Sequence, residues 1–339
     1  MSMISRELER LHAIGEDAFF DAQRLPSSSS YQFYSHKFYK YPTPKEYLSL
    51  CVSKFVERSK YALNKKRFLD QWILMYQFSD KPGTSLRQYK PIIPPIDRFW
   101  ADPFVIERNN KYYLYIEEYP YAAEKGHISV IEMDKDGNIG KPRQVIDTDY
   151  HLSYPFLIEH DNELYMIPES VSNRSVELYR CTEFPDKWEF VQYLMKDINL
   201  VDATLYFKDG YWWMFGNHSD NNRADRWDEC HLYFTEDFRD GNWQSHPCNP
   251  ISNDVREARP AGAIIEKDGK LFRPSQNCSH HYGYGFNIFE ILTMTPENYE
   301  ERLVSRITPD WDDQIVGTHT YNRVGSLNVI DAIKMRKRR

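Results

Sequence analysis

The stretch "RFWADPFVIERNNKYYLYIEEYP", residues 98 to 120, decides the reading of this chain. An apolar run through Phe104 and Ile106 meets the polar turn Arg108-Asn109-Asn110, and a second, aromatic-rich run ends at Glu117 and Glu118. Two such runs about a short polar turn signal a β-hairpin. The start of a hairpin's first strand lies beside the end of its second, so Asp102 comes to the same end as Glu117 and Glu118.

The same grammar recurs in "LSYPFLIEHDNELYMIPESVS" (152–172), "LVDATLYFKDGYWWMFGNHSD" (200–220), "ARPAGAIIEKDGKLFRPSQNC" (258–278) and, more loosely, "GTHTYNRVGSLNVIDA" (317–332). Equivalent starting positions are Asp102, Tyr154, Asp202, Pro260 and His319. Further strand-like runs, such as "HISVIEMD" and "HLYFTED", follow four of the hairpins. A repeat of roughly 50 residues with three or four strands is the pattern of a propeller blade. The expected fold is therefore all-β, a five-bladed β-propeller over residues 86 to 332. The last repeat matches least, as expected where a ring closes, and "SLRQYKPIIPP" (85–95) offers it a strand. A β-sandwich is the alternative, and hairpins of fixed period do not suit one.

Residues 1 to 85 read differently. "ISRELERLHAIGEDAFF" and "PKEYLSLCVSKFVERSKYALNKKRFLDQWILMYQF" carry apolar residues at helical spacing, and Pro42 and Pro44 mark the start of the second segment. This predicts an N-terminal α-helical extension whose apolar faces pack on the propeller or form a dimer contact. Residues 333 to 339 read as a basic tail, suited to peripheral contact with a membrane or a lipid-linked glycan. The net charge of -7 argues against a nucleic-acid partner. Neither a signal-peptide core nor a run of about 18 apolar residues occurs, and the five cysteines lack CxxC spacing. These features predict a cytoplasmic protein with reduced thiols.

In a propeller, equivalent positions of every blade return to one height around one axis. Asp102, Glu117 or Glu118, Glu169, Asp202, His218, Arg259 and Gln276 are thus expected to ring one mouth of the channel. A single carboxylate at a hairpin end is often a turn cap. Several at matching positions, joined by Arg, His and Gln, favour a polar binding site. The Asp147-Thr148-Asp149 triplet falls in a link between blades, outside any nucleotide-binding unit. His218, His231, His246, His280 and His281 lack zinc-site spacing, so no metal ligands are assigned.

The motifs Trp100-Ala101-Asp102-Pro103-Phe104, Tyr154-Pro155-Phe156, Ile167-Pro168-Glu169-Ser170, Asp202-Ala203-Thr204-Leu205-Tyr206, Arg259-Pro260-Ala261-Gly262 and Phe272-Arg273-Pro274-Ser275-Gln276 resemble the five-bladed superfamily of furanosidases, levansucrases and invertases. Within it, the chain looks most like the N-terminal domain of plant glucosamine inositolphosphorylceramide transferases and their free-standing bacterial relatives. The superfamily's glycosidases use an Asp base, a second Asp that tunes the site and a Glu acid. The resemblance implies Asp102 as base and Asp202 as the second Asp. The third hairpin ends in Asn217 and His218 where some relatives place Glu, which leaves Glu169 as acid and Glu118 as the next candidate. Trp100, Glu118, Tyr154, His218, Arg259, Gln276 and His319 are the expected substrate-binding residues. The leading expectation is a carbohydrate-active enzyme performing glycosyl transfer in synthesis of a surface or lipid-linked glycan. The alternatives are an inverting glycoside hydrolase and a non-catalytic glycan-binding propeller. No cofactor is expected. An activated sugar donor fits a transfer reaction, and the acid-rimmed channel leaves room for a metal ion.

Overall fold

The structure is a computed structural model that describes residues 2–23, 41–80, 85–219 and 226–337. It divides into two units whose boundary in the chain falls between Phe68 and Leu69. The first unit holds α1 (Ser2–Ile14), α2 (Glu16–Gln23) and α3 (Pro44–Arg67). A reciprocal cap starts α3: the Glu46 N–H donates to Thr43 Oγ1 (3.3 Å) and the Thr43 N–H donates to Glu46 Oε2 (2.8 Å). Pro44 takes the first helical position, where its missing N–H costs nothing. The stretch "LPSSSS" (25–30), which reads as a loop in the sequence, lies outside the described residues. Among those residues, no helix is long and apolar enough to cross a membrane.

The helical reading of residues 68 to 78 is corrected. "FLDQWILMYQF" is a strand, β1 (Phe68–Phe78), and the short β2 (Lys90–Ile92) follows it. A fully buried strand reads as a continuous apolar run, which periodicity alone does not separate from a buried helix. The propeller therefore begins near residue 69, ahead of the expected 86.

The first blade is β3 (Arg98–Arg108), β4 (Lys111–Pro120), β5 (His127–Met133) and β6 (Arg143–Ile146). The second is β7 (Ser153–His160), β8 (Glu163–Ser170), β9 (Ser175–Glu183) and β10 (Lys187–Lys196). The third is β11 (Leu200–Lys208), β12 (Tyr211–His218), β13 (Cys230–Thr235) and β14 (Gln244–Ser245). The fourth is β15 (Ile265–Lys267), β16 (Lys270–Asn277), β17 (Gly285–Met294) and β18 (Tyr299–Ile307). Each is a four-stranded sheet in chain order. The fifth is composite. Its last long strand β21 (Leu327–Lys337) pairs with β19 (Ile315–Gly317) and β20 (Tyr321–Val324) on one side and with β1 on the other, and β1 pairs with β2. Residues 333–337, expected as tail, thus belong to β21.

The turns explain the repeat. Asn109-Asn110, Asp161-Asn162, Asp209-Gly210 and Asp268-Gly269 each place two residues at positive φ, between 51° and 84°. Asn, Asp and Gly tolerate that backbone, and the resulting two-residue turn matches the twist of a hairpin. Apolar side chains of adjacent blades fill the seams between sheets.

The composite blade generates a prediction. Removing residues 1–67 takes away only the helical unit and should leave a cooperative melting transition. Removing residues 1–80 also strips out Ile73 and Leu74, both fully buried, with Met75 and Tyr76 nearly so. Each such side chain contributes about 1.5–3 kcal/mol. Their sum rivals the roughly 5–15 kcal/mol by which a domain is stable. Thermal unfolding followed by circular dichroism should show the longer truncation unfolded or insoluble. Equal melting curves would mean that β1 does not close the ring.

Candidate functional site

The first strands of three blades each carry one residue with left-handed backbone: Asp102 (φ 50°), Tyr154 (φ 42°) and Asp202 (φ 56°). The ladder slips at the same place each time, between Ala101 and Phe104, Ser153 and Phe156, and Val201 and Thr204. A bulge of this kind re-aims a side chain. Left-handed Tyr and Asp cost on the order of 1 kcal/mol or more each, and such strain clusters at functional sites.

A hydrogen-bond relay ties these positions across blades. The Gly262 N–H donates to the Tyr154 hydroxyl at 2.8 Å. That hydroxyl lies 2.8 Å from Thr204 Oγ1, which donates onward to the Asp202 carbonyl at 3.2 Å. Only glycine fits at 262, where φ is 136° and a Cβ would stand 2.1 Å from the Tyr321 carbonyl oxygen.

Asp102 is 4% exposed. Its carboxylate accepts from Thr320 Oγ1 (2.7 Å) and from the Tyr154 N–H (3.3 Å). His319 Nε2 lies 3.5 Å from Oδ1. The Asp102 N–H donates to Asp331 Oδ2 at 3.0 Å, and Asp331 Oδ1 accepts from the N–H groups of His319 and Thr320. His319 Nδ1 stands 2.6 Å from Asp331 Oδ2, a close ion-pair contact without hydrogen-bond alignment. Asp202, 1% exposed, receives a fork from Arg259, Nε at 2.5 Å and Nη2 at 3.1 Å, with Gln276 Nε2 at 3.0 Å.

Burial and neighbouring charges shift each of these groups from its ordinary pKa. Burial raises Asp102 above the usual carboxylate range, with His319 pulling it down and Asp331 pushing it up. Burial also pushes Asp202 up to about 6, against the lowering pull of Arg259. Glu117 rises well above its ordinary value, from burial first and then from the charges of Asp102, Glu169, Asp331 and Asp202. Burial disfavours the His319 imidazolium, but Asp331 and Asp102 outweigh it and hold the ring above its ordinary value.

Glu117 and Glu118 part company here. Successive strand residues face opposite sides. Glu117 turns to the acids, with His151 Nε2 3.4 Å from its Oε1. Glu118 turns to Arg98 Nη1 (2.9 Å), Trp100 Nε1 (3.2 Å), Ser129 Oγ (2.7 Å) and His127 Nε2 (3.4 Å). Burial opposes its charge, yet these donors hold it at about 2. Glu118 and Trp100, expected to meet substrate, form a structural ion-pair cluster, and Trp100 is a core residue.

Other expected residues sort as follows. Arg259, Gln276 and His319 join the acids. Tyr154 is fully buried and orients Asp102 through its N–H. Both oxygens of Glu169 are engaged, by Ser153 Oγ (2.8 Å) and by the Val171 N–H (2.9 Å). His218 is half-buried, edge-on to His231 and 3.3 Å from the Tyr233 hydroxyl. The Asp147 carboxylate of the DxD triplet pairs with Lys125 at 2.7 Å.

Sequence reasoning missed Asp331, Thr320 and the aromatic residues. Trp72, from β1, stacks on His319 with ring centroids 4.1 Å apart. Tyr282 stands edge-on to the same imidazole at 5.3 Å and 5.0 Å from the Arg259 guanidinium, with Trp227 5.9 Å beyond. All three are half-buried and offer ring faces to a sugar. Asn217 occupies the β12 position matching Glu117, Glu169 and Gln276; it is fully buried and its amide has no hydrogen-bond partner among the described residues. Asp102, His319 and Asp331 offer donor atoms within 4.8 Å of one another and are the residues that would hold a metal ion. A cation there must displace the proton that both carboxylates favour on His319.

Residues 94–330 match the family described as glucosamine inositolphosphorylceramide transferase 1, N-terminal. Proteins named glucosamine inositolphosphorylceramide transferase 1 from Oryza sativa subsp. japonica and Arabidopsis thaliana are 32% and 30% identical to this chain over 206 residues. That is 60% of this chain and only 27% of theirs. Among solved structures, the catalytic domain of Coprinopsis cinerea GH62 α-L-arabinofuranosidase gives a TM-score of 0.52 at 10% identity, covering 78% of this chain and 96% of that one. Zg3597, a family 117 glycoside hydrolase from Zobellia galactanivorans, gives 0.50 at 10% identity, covering 78% and 90%. At such identity these neighbours establish the fold alone.

The division between Glu117 and Glu118 is testable. The folded-state value of Glu118, about 2, lies below its ordinary 4.5. Its stabilisation is therefore fully present above pH 4.5 and lost as pH falls toward 2. Glu118→Gln should cost about 3 kcal/mol at pH 7 and progressively less below pH 4.5. Urea titrations at pH 7 and pH 3 check this. A pH-independent difference would contradict the ion-pair role.

Proposed function

The chain belongs to the family of the N-terminal domain of glucosamine inositolphosphorylceramide transferase 1, and from that premise we propose that its funnel binds a sugar and performs glycosyl transfer in synthesis of a surface or lipid-linked glycan. The observation that carries this reading is Asp102. It is a buried carboxylate on a bulge repeated in three blades, beside a second carboxyl group, Glu117, that burial and the neighbouring acids push well above its ordinary value. One carboxylate able to take a proton and one acid able to give it are the parts of an inverting displacement.

In this reading Asp102 takes the proton of the incoming hydroxyl as the anomeric bond to the leaving group breaks. Asp202, clamped by Arg259 and Gln276, fixes the sugar hydroxyls. Glu117 replaces Glu169 as the acid, because burial and the surrounding acids push it well above its ordinary value. Trp72, Tyr282 and Trp227 stack on ring faces. Asp102, Glu169, Asp202 and Asp331 outnumber Arg259 and His319, and that excess of acid suits a sugar bearing an ammonium group. The plant relatives are named for glucosamine.

Hydrolysis is the second reading. In it water takes the place of the acceptor hydroxyl at Asp102, and the raised Glu117 protonates the leaving oxygen as it does in transfer.

Asp102→Asn separates chemistry from support. The Asn carbonyl keeps the Tyr154 N–H, and the Thr320 hydroxyl turns to accept from the new amide. The fold should survive with an unchanged melting curve. Purified protein assayed with nucleotide sugars and aryl glycosides should lose roughly 10²–10⁴ in kcat. A raised KM with kcat kept would reduce Asp102 to a binding residue. Wild-type turnover would remove it from the mechanism.

A further inference from the structure

The seam between the fourth and fifth blades encloses two cavities that share Leu86 and Tyr89 in their walls. The larger, about 320 Å³, is lined mostly by apolar side chains of both blades, among them Phe272, Phe286, Ile288, Val304 and Ile307, with Lys267 and Ser305 also in its wall. That volume falls in the range of roughly 300–1,000 Å³ typical of small-ligand pockets. The smaller, about 250 Å³, has a different lining, with Arg87, Lys334, Trp311 and Asp312 facing it.

Three of those groups look for an anion. Among the described residues, neither Arg87 nor Lys334 has a carboxylate partner. The Trp311 indole N–H is buried without an acceptor. A buried donor left unmade costs free energy, so an acceptor supplied there is favoured. Asp312 offsets one of the two cations, and its Oδ1 already accepts the Gln314 N–H at 2.8 Å.

We propose that this seam binds a single-chain amphiphile, its hydrocarbon in the larger cavity and its anionic head, a phosphate or carboxylate, on Arg87, Lys334 and the Trp311 N–H. The chain passes Leu86, the half-buried residue common to both cavities. Lys334 lies on β21, the strand that also carries Asp331. Use of the seam to present a lipid-linked acceptor rests on the transfer reading above. Occupancy of the seam does not.

The test titrates full-length protein calorimetrically with dodecyl phosphate below its critical micelle concentration, with inorganic phosphate and dodecyltrimethylammonium alongside. Dodecyl phosphate should bind saturably at one site, far more tightly than either comparison ligand. The Arg87→Ala/Lys334→Ala double variant, altered at the head-group cavity, should raise Kd by about tenfold or more. Ile288→Phe, which fills the larger cavity, should do likewise. Should Ile288→Phe fail to fold, Val304→Trp at the half-exposed rim replaces it. Asp102→Asn should bind dodecyl phosphate as wild type does, so loss of the catalytic reading leaves this result standing. No saturable binding would overturn the proposal. So would equal affinity for the cationic amphiphile, or affinity unchanged in both the double variant and the cavity-filling variant.

Discussion

Like charges cannot all ionise in a space from which water is largely excluded. Asp102, Glu117, Glu169, Asp202 and Asp331 crowd one mouth of the ring, Arg259 and His319 stand among them as cations, and the site follows from how that conflict is resolved. Arg259 takes Asp202 in a fork. His319 stands between Asp102 and Asp331. Glu169 is held by a hydroxyl and a backbone N–H. Glu117 is the acid that burial and the surrounding carboxylates push well above its ordinary value. Chemically similar side chains thereby sit in different electrostatic surroundings, which is how acid and base roles are divided in a displacement.

The ring geometry serves this arrangement. Three left-handed bulges aim the first-strand residues inward, and the relay from Gly262 through Tyr154 and Thr204 to Asp202 fixes three blades in mutual register. Closure of the fifth blade contributes too. Its inserted strand β1 not only buries Ile73 and Leu74 but carries Trp72 onto the His319 ring. Stability and site therefore depend on the same strand.

Much of this was legible in the sequence. The Asn-Asn, Asp-Asn and Asp-Gly pairs announced the hairpins, and the repeat placed Asp102, Asp202, Arg259, Gln276 and His319 at one end. The choice between Glu117 and Glu118 was not legible, because neighbouring strand residues point oppositely and the bulge at Asp102 conceals the register. Asp331 closes the β20–β21 hairpin opposite Thr320, but was hidden because that hairpin is shorter than the others and the spacing between its ends differs. Trp72 was hidden by the resemblance of a buried strand to a helix. Tyr282 and Trp227 lie between strands, where periodicity carries no signal.

The most direct measurement of the central claim is a crystal structure of the protein with whichever sugar binds best in a screen of nucleotide sugars and glycans. The account predicts a sugar ring between Asp102 and Asp202, stacked on Trp72 or Tyr282, with Glu117 and the Asn217 amide within hydrogen-bonding distance of its oxygens. A sugar bound elsewhere on the propeller, with the Asp102–His319–Asp331 and Asp202–Arg259 groups untouched, would contradict it.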